Sequence, residues 1–130
     1  MNDLIQRVTN AIFRQEDMPA DYPNPGNLRD CPWFTGSLMQ RYYADGTRVQ
    51  FANGFWRPRS RAEGVAGAAH CVALRVAMGQ SLTQVISGWA PAKDGNDTAA
   101  YIAHVKEWAE IPDETVPLWN YCIACSPPPK

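Results

Sequence analysis

The chain is expected to fold as an α+β domain, mainly α, with one β-hairpin after the first helix. Three observations carry that expectation. Apolar residues recur at three- and four-residue spacing in four separate stretches, and capping residues stand just ahead of those stretches. Asp45-Gly46, a hairpin signal, lies between two short runs rich in Tyr, Val and Phe. The 130 residues, 45% hydrophobic and 19% charged, suffice for one ordinary core, so a single domain over residues 1–125 with a proline tail at 126–130 is expected.

Asp3 to Glu16 places Leu4, Ile5, Val8, Ile12 and Phe13 on one helical face, with Asn2 or Asp3 as the cap. This helix must end by Met18, because Pro19 disfavours helical geometry in the residue before it. Prolines 19, 23, 25 and 32 then make Asp17 to Gly36 an irregular loop. Arg41-Tyr42-Tyr43 and Thr47 to Phe51 form the expected hairpin about Asp45-Gly46. Ser60-Arg61-Ala62-Glu63 fits a capping box for a second helix, which carries Val65, Ala69, Val72 and Val76 and stops at Gly79. The small residues Gly64, Ala66, Gly67, Ala68, Ala69 and Ala73 would let another helix approach it closely. Ser81 to Gln84 repeats the box for a short helix with Leu82, Val85, Ile86 and Trp89, stopped by Pro91. After a loop, Asn96 or Asp97 caps a fourth helix with Tyr101, Ile102, Val105 and Trp108 inside, ending before Ile111-Pro112.

Composition narrows the function classes. Twelve Lys and Arg against 13 Asp and Glu leave a net charge of -1, which does not mark a nucleic-acid binder. No stretch approaches the roughly 20 apolar residues of a membrane span, and the first residues lack the pattern of a secretory signal peptide. The charge is nevertheless uneven. Residues 41–61 set five arginines against Asp45, whereas residues 93–114 set Lys93 and Lys106 against six acids. Both segments are ordinary solvated surface or faces for a charged partner.

Two features suggest chemistry. Glu16 ends a helix, where it is either an ordinary solvated glutamate or a carboxyl held at the edge of the core, whose partial desolvation would raise its pKa toward that of a general acid. In Tyr22-Pro23-Asn24-Pro25-Gly26-Asn27-Leu28, Pro25 and Gly26 suit the second and third positions of a type II turn. Asn24 and Asn27 flank it, either displaying amides to a sugar or bonding their own backbone.

Arg14-Gln15-Glu16, Asn24 to Arg29, Gly54-Phe55 with Ala62-Glu63-Gly64, Trp89-Ala90-Pro91, and Gly95 to Ile102 together resemble small phage proteins of the lysozyme-like group. These are described as virion structural proteins or as peptidoglycan-degrading lytic enzymes. The blocks are scattered over Ile12 to Trp119. The resemblance implies a lysozyme-like fold and a catalytic role for Glu16. It also implies peptidoglycan as substrate, possible virion-protein partners, no cofactor, and a place in the virion or the host periplasm and cell wall. In that group the glutamate is usually followed by glycine; here Asp17 follows, which would either raise the Glu16 pKa by repulsion or mark a lost activity. Glycoside cleavage normally needs a second carboxylate, for which Asp21, Asp30 and Asp45 all qualify by position. Lytic transglycosylases of this kind work with one glutamate, because the sugar's own hydroxyl attacks, and that chemistry is preferred.

Flat rings suit a sugar cleft, and Trp33, Phe34, Tyr42, Tyr43, Phe55 and Trp56 cluster in the loop and hairpin region. Of these Trp33, Tyr42 and Trp56 join Asn24 and Asn27 as expected substrate-binding residues. Cys31, Cys71, Cys122 and Cys125 allow a zinc site, disulfides or reduced thiols, and no metal is assigned. His70 cannot face its neighbour Cys71 on one helix, His104 reads as surface, and Val105 at the twelfth position removes an EF-hand reading of Asp94 to Asp97. Two readings of different class follow: a peptidoglycan-cleaving phage protein, or a non-catalytic tail, baseplate or neck component that keeps the fold. A zinc-stabilised interaction module is a third.

Overall fold

A computed structural model describes residues 3–29, 35–37, 40–43 and 45–122. The architecture among them is α+β and mainly helical. Helix α1 spans Asp3–Glu16, strands β1 to β4 span Thr35–Ser37, Gln40–Tyr42, Gln50–Ala52 and Phe55–Arg57, and helices α2, α3 and α4 span Arg61–Ala77, Leu82–Trp89 and Thr98–Trp108. Single 3₁₀ turns occupy Ala92–Asp94 and Leu118–Tyr121. None of these helices is long and apolar enough to cross a membrane. The chain divides into two compact units, residues 1–15 with 72–130, and residues 16–71.

The first unit is helical. Leu4, Ile5, Val8 and Ile12 form the buried stripe of α1; Val72 and Val76 of α2, Leu82, Val85 and Ile86 of α3, and Tyr101 and Val105 of α4 are buried with Ile111 and Leu118. Each such aliphatic side chain contributes about 1.5–3 kcal/mol by leaving water. Polar bonds tie the elements together. Arg7 Nε donates to the Ala109 carbonyl at 3.0 Å, linking α1 to the residue after α4. Thr98 Oγ1 donates to the Ala90 carbonyl at 2.8 Å, linking α4 to the end of α3.

The helix ends follow the sequence signals. Ser81 and Gln84 make the full capping box of α3, and the Asp97 side chain, rather than that of Asn96, accepts from Ala100 N at 3.1 Å to cap α4. Beyond α2, Gly79 N donates to the Val76 carbonyl at 3.0 Å and Gln80 N to the Arg75 carbonyl at 3.1 Å. Gly79 has φ +82°, and a β-carbon there would stand 2.7 Å from the Trp119 ring, so both its backbone and its space require glycine.

The second unit holds the loop, the strands and the start of α2. β1 pairs antiparallel with β2, and β3 with β4, giving two hairpins where one was expected. The expected pairing across Asp45-Gly46 survives as one bridge, Tyr42 with Arg48, and a Tyr43 N to Thr47 O bond of 2.8 Å. The longer pairing forms instead about Asn53-Gly54, where φ is +53° and +81° as a tight two-residue hairpin turn demands.

At α2, Ser60 Oγ caps Glu63 N at 3.1 Å, but the Glu63 carboxylate bonds Arg59 N rather than closing the box on Ser60. The glycine of its first turn also departs from expectation. What approaches Gly64 is the proline loop: a β-carbon there would lie 1.8 Å from the Pro23 carbonyl oxygen and 3.2 Å from Pro25. Gly64→Ala is therefore expected to lower unfolding stability by about 3 kcal/mol despite its better helix propensity, measurable by urea denaturation.

Candidate functional site

Glu16 is the last residue of α1 and is half-buried. Asp17 follows with φ +49°, a left-handed conformation that glycine adopts without strain and aspartate tolerates better than most residues. The residue at 17 thus has a conformational reason to be glycine or its nearest substitutes. Its carboxylate is exposed. Asp17→Gly should raise stability by about 0.5–1 kcal/mol, read from the shift of the denaturation midpoint.

The Asn24 to Asn27 segment is a hydrogen-bonded turn, Asn27 N donating to the Asn24 carbonyl at 2.9 Å. It is not type II. The left-handed residue is Asn27, at φ +48°, while Gly26 is absent from the positive-φ region. The two asparagines have separate tasks. Asn24 is 0% exposed, its Nδ2 donates to the carbonyls of Leu28 and Trp56 at 2.9 Å each, and its Oδ1 accepts from Leu28 N at 3.0 Å. A backbone bond from Trp56 N to the Leu28 carbonyl, 2.9 Å, runs beside them. This amide pins the loop to β4 and is not displayed to a ligand. Asn27 is half-buried, and among the described residues its side chain has no hydrogen-bond partner.

Trp56, expected as a stacking ring, is instead 1% exposed and forms the centre of this unit. Its Nε1 donates to the Tyr43 hydroxyl at 3.1 Å. That hydroxyl in turn bonds the Glu63 carboxylate. Glu63 also accepts from Arg59 N at 3.0 Å and Nε at 2.8 Å, and Arg59 reaches Asp45 at 2.7 Å while lying 3.8 Å above the Tyr43 ring. Burial, aided by the bond that the hydroxyl donates to the Glu63 carboxylate, pushes the Tyr43 pKa up to about 12. Burial would also raise Glu63, but bonds from Arg59 and Tyr43 prevail and hold it below its ordinary range. Asp45 is pulled down to about 2 by its bonds to Thr47 and then by Arg59. Sequence reading missed this hub, although the Asp45-Gly46 turn and the Ser60 to Glu63 signature contain two of its carboxylates.

Among the described residues, the exposed rings of this unit are Tyr42 and Phe51, each 40% exposed; Phe55 is half-buried beneath the Arg29 guanidinium at 4.4 Å. Trp33, expected as a third stacking ring, lies outside the described residues, as do Cys31, Asp30, Cys125 and the 126–130 tail. Asp21 is exposed. Of the basic segment, Arg59 serves the hub and Arg61 donates to the Tyr22 carbonyl at 2.9 Å, while Arg57 stays exposed. Cys71 is disulfide-bonded, so its thiolate is removed from the zinc reading, and the described residues contain no cluster of three or more potential metal ligands. In the helical unit His104 is exposed, with Nδ1 2.7 Å from Gln15 Oε1 and its ring stacked on Trp108 at 5.2 Å. Arg14 lies 4.1 Å from the same indole, which is half-buried rather than interior.

Comparison with protein-family models, curated proteins and solved structures found no match.

Two outcomes follow from this geometry. Asn24→Ala strands buried partners of the amide and should cost about 2–4 kcal/mol in a urea titration; Asn24→Asp, which turns an acceptor toward two carbonyls, should cost more. The depressed Asp45 and Glu63 values stabilise the fold above the unfolded carboxylate pKa of about 4, and that contribution disappears as pH falls toward about 2. Calorimetry should show Tm dropping over this window, with a shallower slope in Asp45→Asn.

Proposed function

We propose that this protein cleaves the glycan strands of peptidoglycan, by lytic transglycosylase or muramidase chemistry, with Glu16 as general acid and then base. The observation that carries the reading is the junction at the end of α1, where a half-buried glutamate is followed at once by a left-handed residue. That conformation is the one in which the glycine of the resembling phage proteins is at ease. Asp17 is therefore compatible with the same local geometry and need not mark a lost activity. A lysozyme-like fold, phage origin and a virion or cell-wall location belong to the same proposal.

Glu16 would protonate the glycosidic oxygen as the C1–O bond breaks. In the transglycosylase course a hydroxyl of the same sugar then bonds to C1, and its proton returns to the Glu16 carboxylate. This one-glutamate course is favoured because Asp45, a candidate second carboxylate, is already committed to Arg59 and Thr47. Asn27 and the exposed Tyr42 ring remain as glycan contacts, and Phe51 joins them; Asn24 and Trp56 support the loop from inside.

One observation favours a second reading, a non-catalytic virion component. Two of the residues expected to face sugar are interior, which leaves fewer groups to bind it. Incubation with isolated Gram-negative peptidoglycan and mass spectrometry of the soluble muropeptides separates the readings. The enzyme reading expects anhydro or reducing-end products that fall by about 100-fold or more in Glu16→Gln. Absence of products, or equal yields from both proteins, overturns it, and stoichiometric copies in purified particles would then establish the scaffold.

A further inference from the structure

We propose that the outer face of the β3–β4 hairpin binds the anionic peptide stems of peptidoglycan through the guanidinium groups of Arg48, Arg57 and Arg29. The proposal rests on the glycan-strand reading above and names the part of the wall polymer that this face holds. In an antiparallel pair, successive residues alternate between faces and directly opposite residues share one. Trp56 is 1% exposed and marks the inner face of β4. Its neighbours Phe55 and Arg57 therefore lie on the outer face, together with the residues opposite them, Ala52 and Gln50. Val49, 4% exposed, continues the inner set, which places Arg48 on the outer face with its bridge partner Tyr42. Arg29 reaches the same face from the preceding loop. Its guanidinium lies 4.4 Å from the Phe55 ring, and a β-carbon on Gly54 would stand 3.4 Å from its Nη1.

The face is basic, and the carboxylates nearest in sequence are engaged elsewhere. Residues 46–62 contain four arginines and no acid. Arg59 is paired with Asp45 and Glu63, the acids that flank this segment, and Arg61 donates to the Tyr22 carbonyl. Arg29, Arg48 and Arg57 are exposed, and Arg57 pairs with no carboxylate among the described residues.

The spacing selects the partner. Along β4 the positions of Phe55 and Arg57 are about 7 Å apart, and Arg48 lies diagonally across from Arg57 at about the same separation. Guanidinium forks in such a row suit carboxylates that recur along an extended chain, each taken in two parallel bonds. The stem peptide of peptidoglycan carries several free carboxylates and leaves the glycan at its muramic acid. With that sugar against the exposed Tyr42 ring, the stem runs over Arg48 toward Arg57 and Arg29.

The test is cosedimentation of the full chain, as Glu16→Gln so that the wall is not consumed, with Gram-negative sacculi that are either native or amidated at their stem carboxylates. Native sacculi should bind about tenfold more tightly than amidated ones. Adding Arg57→Gln or Arg48→Gln should remove that difference while leaving binding to amidated sacculi unchanged. Lys93→Gln, which removes an exposed charge in the helical unit, should bind as the parent does. No binding, equal binding of native and amidated sacculi, an equal loss in Lys93→Gln, or stronger competition by a single-stranded oligonucleotide than by free stem peptide would overturn the proposal. Adhesion is read without cleavage, so carboxylate-dependent binding beside an inactive wild type would uphold this face and overturn only the enzymatic reading.

Discussion

The buried amide of Asn24 is the constraint on which residues 16–71 depend. Its three bonds join the turn at 24–27, the following Leu28 and strand β4 at Trp56. A buried amide left unmatched costs more than a matched one contributes, so the arrangement is close to all-or-none. With β4 held, Trp56 is fixed against Tyr43, Tyr43 against Glu63, and Glu63 at the first turn of α2. Gly64 then admits the Pro23 carbonyl where any side chain would collide. A short loop and two hairpins, with little sheet between them, acquire definition from this chain of contacts.

The same contacts explain why several residues suited to a sugar are absent from the surface. An indole carries a large apolar area and one donor; in a unit with few aliphatic residues it serves as the core, with Tyr43 satisfying its N–H. An asparagine amide, able to bridge two carbonyls and one N–H, serves as the internal clamp. Toward the outside of residues 16–71, the Tyr42 and Phe51 rings are each 40% exposed, and Asn27 and Glu16 are half-buried. Arg59 likewise belongs to the fold, since its partners Asp45 and Glu63 neutralise it in place.

The helices were legible because their signals are local. Ser60, Ser81, Asp97 and Gly79 act within one turn of the residue they mark, and each does what its type and position imply. The hairpins were legible only in part. Asp45-Gly46 and Asn53-Gly54 are both turn signals within ten residues, and the choice of which carries the longer pairing depends on Trp56 and Leu28, which lie far apart in sequence. Which of two asparagines in one motif would be buried was not legible, because burial is decided by β4, whose Trp56 lies 32 residues beyond Asn24. The positive φ of Asp17 was likewise not legible, because aspartate adopts both signs of φ and the residue type alone does not reveal which the backbone requires.

The most direct measurement of the Asn24 clamp is native-state hydrogen exchange at two amides, Leu28 N–H, which donates to Asn24 Oδ1, and Trp56 N–H, which donates to the Leu28 carbonyl. We expect both to exchange slowly, with the same opening free energy as the interior of α2, and both to accelerate together in Asn24→Ala. Exchange of either amide at the rate of an exposed loop in the wild-type protein would contradict the clamp.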